Sequence, residues 1–76
     1  MDIAFDIEKD FGTIGSGSAP KRLCLVSWNH RPAKLDIRPW RDDENGGGKL
    51  PGKGITLTDE EGRFLLAALQ EYFAEA

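Results

Sequence analysis

The segment Thr58-Asp59-Glu60-Glu61 divides the chain into two parts with different periodicities. It matches a helix capping box, in which the Thr58 hydroxyl accepts a hydrogen bond from the Glu61 N–H and the Glu61 carboxylate accepts one from the Thr58 N–H. The acidic residues also suit the positive end of a helix dipole. We therefore predict a helix that runs from this point to about residue 73.

Before the capping box, the apolar residues lie in four short stretches separated by glycine, proline and polar residues, which is typical of β-strands. The predicted strands are residues 3–11, 22–28, 34–40 and 52–57. Gly12 is expected to mark a β-bulge. Pro39 is expected at an edge or a bulge, because proline cannot donate a hydrogen bond to a sheet. The predicted fold is therefore α+β, with four strands followed by one helix.

The chain is expected to form one small domain over residues 1–76. A domain of this length buries only about 60% of the surface that its unfolded chain exposes, and usually adds a disulfide, a metal or a partner subunit. The single cysteine, Cys24, excludes an internal disulfide, and it has no zinc-ligand spacing to the single histidine, His30. We therefore expect no metal and no cofactor, and oligomerisation is the remaining reinforcement.

The predicted helix carries more apolar surface than one sheet can cover. On a helical wheel its apolar side chains span an arc of about 200°, whereas a helix on one sheet needs a stripe of about 100°. One alternative is a deeply embedded helix, but a chain of this size can hardly surround it. A two-fold homodimer is the simpler explanation. The residues predicted to form its interface are Phe64, Leu65, Ala68, Leu69, Tyr72 and Phe73.

The charge of the chain is unevenly distributed. The formal net charge is −3 at pH 7, but residues 20–53 hold most of the lysines and arginines, whereas both flanking segments are acidic. Local charge matters more than total charge for binding a polyanion. The basic middle segment is therefore compatible with a nucleic-acid ligand.

The predicted third strand separates into two faces. Leu35 and Ile37 point to one face and are expected to lie under the helix. The opposite face is expected to be exposed to solvent, and it carries Lys34, Asp36, Arg38 and Trp40. Trp40 would then lie among cations in solvent, an arrangement that asks for a functional explanation.

The register between the second and third strands decides where Trp28 lies, because a slip of one residue would turn it to the other face. The predicted pairs are Trp28–Lys34, Val26–Asp36, Cys24–Arg38, Arg22–Trp40 and, on the face under the helix, Leu25–Ile37. In this register both tryptophans share the basic face.

Aromatic rings among cations on a sheet are typical of proteins that bind single-stranded nucleic acid. An unpaired base can stack on an aromatic ring for about 1–3 kcal/mol, without sequence preference. Lysine and arginine neutralise phosphates, which makes such binding salt-dependent. The alternative is that Trp28 and Trp40 are core residues, as most tryptophans are.

Three segments together carry a family resemblance: V-S-W-N at residues 26–29, K-L-D-I-R-P-W at residues 34–40 and G-K-G-I-T-L-T-D-E-E at residues 52–61. With these segments the chain resembles the PC4-like (transcriptional coactivator p15) family, and most of all its small bacterial YdbC-like members. The resemblance covers residues 3–73. It implies a four-stranded antiparallel sheet with a C-terminal helix, a homodimer, and binding of single-stranded DNA with little sequence preference, in transcription or related DNA transactions.

The resemblance also implies positions for nucleic-acid contacts. By position these are Trp28 at the turn between the second and third strands, Arg38 and Trp40 on the third strand, and Lys49 and Lys53 before the fourth strand. The predicted register adds Arg22 and Lys34. Pro39 beside Trp40, a shorter spacing from Arg38 to the tryptophan, and the glycine loop at residues 46–48 depart from the family pattern.

Other classes of site are not supported by the sequence. Residues 47–53 nearly spell a phosphate-binding loop, but Gly54 stands where Ser or Thr is required and a strand follows instead of a helix. Residues 42–46 lack the ligand alternation of a calcium loop. Cys24 and His30 have no third group to orient them as a nucleophile and base. We therefore expect no catalysis.

The remaining expectations concern location and partners. No apolar run approaches the ~20 residues that span a bilayer, and the N-terminus does not read as a signal peptide. We therefore expect a cytoplasmic protein without membrane contact, nucleoid-associated if bacterial. Two functional alternatives remain. One is a protein-interaction adaptor, whose tryptophan face docks on RNA polymerase or another regulator. The other is an RNA-binding module.

Overall fold

The computed structural model describes residues 4–46 and 48–75, so Ile3 and Gly47 lie outside the described residues. The elements are β1 Phe5–Ile14, β2 Lys21–Trp28, β3 Lys34–Asp42, β4 Lys49–Pro51, β5 Ile55–Leu57 and α1 Asp59–Glu75. The strands form one sheet in the order β1-β2-β3-β4, with β5 also paired to β3, and all described pairings are antiparallel. The predicted α+β fold, an antiparallel sheet followed by one C-terminal helix, is confirmed.

Of the fourth strand predicted over residues 52–57, only β5 is a strand, and β4 is an additional short strand that precedes the predicted range. Pro51 pairs with Trp40 and Ile55 pairs with Ile37, so residues 52–54 lie opposite only two residues of β3. Gly54 allows this segment to approach β3 closely, because a Cβ at residue 54 would lie 2.2 Å from the Ile37 carbonyl oxygen. Pro39 lies at the irregular segment, as expected for a residue without an N–H.

Two bulges interrupt β1. The register with β2 shifts between Ile7 and Lys9 and again between Asp10 and Gly12, which confirms the bulge predicted at Gly12. Each bulge adds one residue to the strand, so the side chains of β1 no longer alternate regularly between the two faces beyond Ile7. Asp10 therefore lies opposite Cys24, whereas Phe11 is 50% exposed.

The predicted register between β2 and β3 is wrong by two residues. None of the predicted pairs Trp28–Lys34, Val26–Asp36, Cys24–Arg38, Arg22–Trp40 and Leu25–Ile37 occurs. The observed pairs are Val26–Lys34, Leu25–Leu35, Cys24–Asp36, Leu23–Ile37, Arg22–Arg38 and Lys21–Pro39. Because side chains alternate with a period of two, this shift leaves every side chain on its predicted face.

The connection between β2 and β3 explains the shift. The Arg31 N–H donates to the Trp28 carbonyl, and the two residues between them, Asn29 and His30, both have positive φ. This tight turn begins at Trp28, the last residue of β2. A hydrogen bond from the Ser27 hydroxyl to the Arg31 carbonyl, at 2.6 Å, also joins the two sides of the turn. The ladder to β3 consequently ends at Val26 instead of reaching Trp28.

The most buried side chains lie on the tryptophan face of the sheet. Val26, Cys24 and Asp36 are 0–1% exposed, and Arg38 and Trp40 are half-buried. The expectation that this whole face is exposed to solvent is therefore wrong, although Lys34 is exposed. The physical reason is that side chains of this face pack on one another: Arg38 and Thr56 bind Asp36, and the rings of Phe5, Trp28 and Trp40 cluster together.

The opposite face carries five half-buried aliphatic side chains, of which Leu25, Leu35 and Ile37 are the ones expected under the helix. The five are Leu23, Leu25, Leu35, Ile37 and Leu57. Helix α1 contacts this face through β3 and β5. Gly62 allows a close approach, because a Cβ there would lie 3.0 Å from the Leu35 Cδ1 atom.

The start of α1 is the capping box that the sequence predicts. The Thr58 N–H donates to the Glu61 carboxylate at 2.8 Å, and the Glu61 N–H donates to the Thr58 hydroxyl at 3.1 Å. The hydrogen bond from the Thr58 backbone lowers the pKa of the Glu61 carboxyl below its ordinary value. Nothing among the described helical residues is long and apolar enough to cross a membrane.

Candidate nucleic-acid interface

Phe5, Trp28 and Trp40 form an aromatic cluster on the face of the sheet that carries Val26 and Asp36. The Phe5 ring lies 5.7 Å from Trp28 and 5.2 Å from Trp40, between ring centroids. The two indoles lie 6.2 Å apart and are nearly parallel, with an interplanar angle of 9°. The sequence predicts that the tryptophans share a face, and the structure shows that their rings also stack on each other.

The aromatic cluster covers the small core beneath it. Both tryptophans are half-buried, and both indole Nε1 atoms are buried without a hydrogen-bond partner among the described residues. An unpaired buried donor costs about 1–3 kcal/mol. The two rings are thus partly core residues and partly exposed aromatic surface. The sequence offered these two roles as alternatives.

Arg38 connects the aromatic cluster to the buried Asp36. Its guanidinium carbon lies 4.7 Å from the Trp28 ring centroid, and its Nε donates to the Asp36 carboxylate at 2.5 Å. The Nη1 and Nη2 atoms donate to the Gly52 carbonyl and the Thr56 hydroxyl, both at 3.2 Å. The Thr56 hydroxyl donates in turn to Asp36 at 2.9 Å. Arg38 therefore fastens Trp28 and the β4–β5 segment to β3.

Arg22 lies directly opposite Arg38 and forms a second arginine–aspartate pair. Its Nε and Nη2 donate to one oxygen of Asp10 at 2.9 and 2.5 Å, and its Nη1 donates to the Thr13 hydroxyl at 3.2 Å. The hydrogen bond from Arg22 lowers the pKa of the Asp10 carboxyl. The pair is accessible, with side-chain exposures of 40% for Arg22 and 39% for Asp10.

Two adjoining grooves flank Trp40, and Trp40 and Lys49 line both of them. The first groove also contains Ile7, Asp10, Pro20 and Arg22. The second also contains Ser18, Ala19, Pro39, Arg41, Asp42 and Gly52. We refer to the surface formed by Asp10, Arg22, Trp40 and Lys49 as the Trp40 groove. It brings one aromatic ring and two cations to the same groove.

Lys49 is the more exposed of these two cations. Its Nζ lies 2.6 Å from the Asp42 carboxylate, and the side chains of Lys49 and Asp42 are 59% and 83% exposed. Such an ion pair is weak, because water screens it and both side chains lose entropy in forming it. A ligand phosphate can therefore replace the Asp42 carboxylate.

The seven predicted nucleic-acid residues fall into three groups. Arg22, Trp40 and Lys49 come together in the Trp40 groove, and Trp28 and Arg38 lie in or against the aromatic cluster. Lys34 and Lys53 are exposed and line neither groove. The sequence reasoning missed Phe5 and Asp10. In the sequence, Phe5 is only one apolar residue of a strand-like stretch. The position of Asp10 depends on two bulges in β1, which the alternation of residues does not reveal.

Metal-binding and nucleophilic groups are the other kinds of site considered among the described residues. These described residues contain no cluster of three or more His, Cys, Asp or Glu side chains that could hold a metal ion. Burial raises the pKa of the Cys24 thiol, and the neighbouring Asp10 raises it further. The thiolate form that nucleophilic catalysis needs is therefore disfavoured at Cys24.

The apolar side of α1 is open in the single chain. Phe64, Tyr72 and Phe73 are 66–76% exposed, Leu69 is 46% exposed and Leu65 is 36% exposed. The Tyr72 and Phe73 rings contact each other edge to face at 4.9 Å. Exposed apolar surface of this kind is typical of interaction sites.

Comparison with known proteins agrees with these features. Residues 16–68 match the sequence profile of the family described as Transcriptional Coactivator p15 (PC4). A protein of Treponema pallidum (strain Nichols), described as "Uncharacterized protein", is 39% identical over 62 residues, which cover 79% of this chain and 68% of that protein. All seven predicted nucleic-acid residues lie within the matched residues 16–68, whereas Phe5 and Asp10 precede them.

Proposed function

The chain belongs to the transcriptional coactivator p15 (PC4) family, and we propose that it binds single-stranded DNA along the Trp40 groove with little sequence preference. One observation carries this proposal: Trp40 lines a groove together with the cations Arg22 and Lys49. The proposal agrees with the single-stranded DNA binding and transcription coactivation that the family suggests.

The chemistry of the groove suits an unpaired strand. A base can stack on the exposed part of Trp40, and this contact needs no hydrogen bond that distinguishes one base from another. Arg22 and Lys49 can neutralise the flanking phosphates and release counterions. In a duplex the base faces are already stacked on one another, so the aromatic contribution is lost. We therefore expect a preference for single strands over duplex.

The aromatic cluster and the Arg38 network keep Trp40 in place. Phe5 and Trp28 pack against its ring, and Arg38 packs against Trp28. A ring that is already held loses little freedom when a base stacks on it. In this proposal Arg38 and Trp28 contribute mainly by preorganisation, and Lys34 and Lys53 extend the basic surface.

We also propose that two chains form a homodimer through α1. The exposed residues Phe64, Leu65, Leu69, Tyr72 and Phe73, together with Ala68, are its expected interface. Burying one large apolar side chain contributes about 1.5–3 kcal/mol, so these residues supply a strong driving force. A dimer would place two Trp40 grooves on one particle, so that a single DNA strand can contact both.

In this proposal the protein is a transcription regulator or DNA-transaction factor and not an enzyme. It acts in the cytoplasm, at the nucleoid if its source is bacterial. The rival function is an adaptor whose tryptophan face docks on RNA polymerase or another regulator. A third ligand class is RNA, which differs by its 2′-hydroxyl groups.

A salt titration of fluorescence anisotropy tests the proposal. Labelled oligo-dT, a duplex of equal length and a matched RNA oligomer are titrated with the protein at increasing salt. We expect oligo-dT to bind more tightly than duplex, and its affinity to fall steeply with salt. Absence of oligo-dT binding at low salt would contradict the proposal, and tighter RNA binding would assign the groove to RNA.

A further inference from the structure

The Trp40 groove contains the carboxylate of Asp10 at the place where a DNA phosphate is expected. The inference drawn from this placement rests on the proposed function. Two bulges in β1 turn Asp10 toward Cys24 and Arg22. The Nε and Nη2 atoms of Arg22 both donate to Asp10 Oδ2, and Nη1 donates to Thr13. Arginine binds carboxylates and phosphates through the same fork of N–H donors. Asp10 thus occupies the side of Arg22 that a phosphate would use.

The position of Asp10 is fixed by the backbone and is not a chance contact of a flexible side chain. Its second carboxylate oxygen, Oδ1, accepts a hydrogen bond from the Gly12 N–H at 2.9 Å. Gly12 has a φ of 133°, a conformation that favours glycine, and it lies at the second bulge. The bulge therefore holds the carboxylate in front of Arg22, while about two fifths of each side chain stays exposed.

We propose that Asp10 is an intramolecular competitor of the DNA phosphate at Arg22. A bound strand replaces the Asp10–Arg22 ion pair with a phosphate–Arg22 ion pair. The displaced carboxylate remains near the phosphate and repels it. Asp10 thereby lowers the affinity of the groove and speeds release of the strand.

Asp10→Asn tests this inference, because an asparagine oxygen can still accept the Gly12 N–H while the negative charge is lost. Two unit charges at close range in water interact enough to change an equilibrium constant about five-fold. We expect Asp10→Asn to bind oligo-dT about five-fold more tightly than the unchanged protein at low salt, by anisotropy. The matched control is Asp6→Asn on the same strand, because Asp6 lies opposite Ser27 and outside the groove. This control should leave the affinity unchanged.

A double-mutant cycle separates competition from a general charge effect. If Asp10 occupies Arg22, then Arg22→Ala should weaken binding more in the Asp10→Asn background than in the unchanged protein. Equal effects in the two backgrounds would overturn competition. Asp10→Ser provides a second uncharged variant, with circular dichroism to verify the fold.

The outcomes distinguish this inference from the proposed function. If the unchanged protein binds oligo-dT and both Asp10 variants bind equally or more weakly, the inference is overturned and the proposed function stands. If the unchanged protein does not bind oligo-dT at low salt, the proposed function fails and the inference falls with it.

Discussion

Arg22 and Arg38 lie directly opposite each other on β2 and β3, and each donates hydrogen bonds to an aspartate on the same face of the sheet. Like charges in opposite positions of a sheet destabilise it. Asp10 and Asp36 offset this repulsion, but in different surroundings, because Asp36 is 0% exposed and Asp10 is 39% exposed. The buried pair therefore organises the sheet, and the open pair is available to a ligand.

The first prediction concerns the buried pair. Asp36→Ala leaves the Arg38 guanidinium without its counter-ion, and removing one partner of a buried ion pair costs about 3–5 kcal/mol. We expect a loss of unfolding free energy of this order in urea denaturation at fixed protein concentration. Asp6→Ala, an exposed aspartate on β1, is the control and should change stability little. An equal, small loss in both variants would show that the Arg38 network does not stabilise the fold.

The second prediction concerns pH and the helix cap. The Thr58 backbone lowers the pKa of Glu61 in the folded protein. The stabilisation is therefore complete above the ordinary glutamate pKa of about 4.3 and is lost as the pH falls through the lowered folded-state pKa. We expect Glu61→Gln to lower the thermal midpoint at neutral pH and to converge with the unchanged protein in acid. A difference that persists unchanged in acid would contradict this origin.

The third prediction concerns the two roles of Trp40. Trp40→Ala removes a stacking surface and is expected to weaken oligo-dT binding by about 1–3 kcal/mol. It also removes a ring that packs on Phe5 and Trp28, so the melting temperature should fall. Trp40→Phe keeps an aromatic ring and should retain more of both properties. A variant that melts earlier but binds oligo-dT normally would assign Trp40 to the core alone.

The fourth prediction concerns the helix face. Phe73 is 67% exposed in the single chain, and its burial in both copies of a homodimer would contribute about 3–6 kcal/mol. Phe73→Glu should therefore convert the protein to a monomer at micromolar concentration in sedimentation velocity. Gln70→Glu adds the same charge at a polar helix position and serves as the control. A monomeric unchanged protein would refute the dimer.

The sequence predicts those parts of the fold that depend on local chemistry. The capping box at Thr58 and Glu61, the strand segments and the bulge at Gly12 each follow from residue types within a few positions. The shared face of Trp28 and Trp40 was also predicted, because alternation survives a register error of two residues. The segments that resemble the PC4 family lie in these same elements, and the family is confirmed.

The remaining features depend on geometry that alternation does not encode. The register between β2 and β3 follows from positive φ angles at Asn29 and His30, residues that are not glycine. The place of Asp10 depends on two bulges in β1. The stacking of Trp28 on Trp40 joins two residues that are not paired across strands, so the alternation of side chains does not predict it.

Tryptophan fluorescence tests the central claim, binding of single-stranded DNA at Trp40, most directly. The chain has two tryptophans, so Trp28→Phe leaves Trp40 as the single reporter and Trp40→Phe leaves Trp28. A base stacked on an indole quenches its emission. Titration with oligo-dT should quench the Trp28→Phe variant strongly and saturably, and the Trp40→Phe variant much less. Quenching of Trp28 alone, or binding that quenches neither, would contradict a site at Trp40.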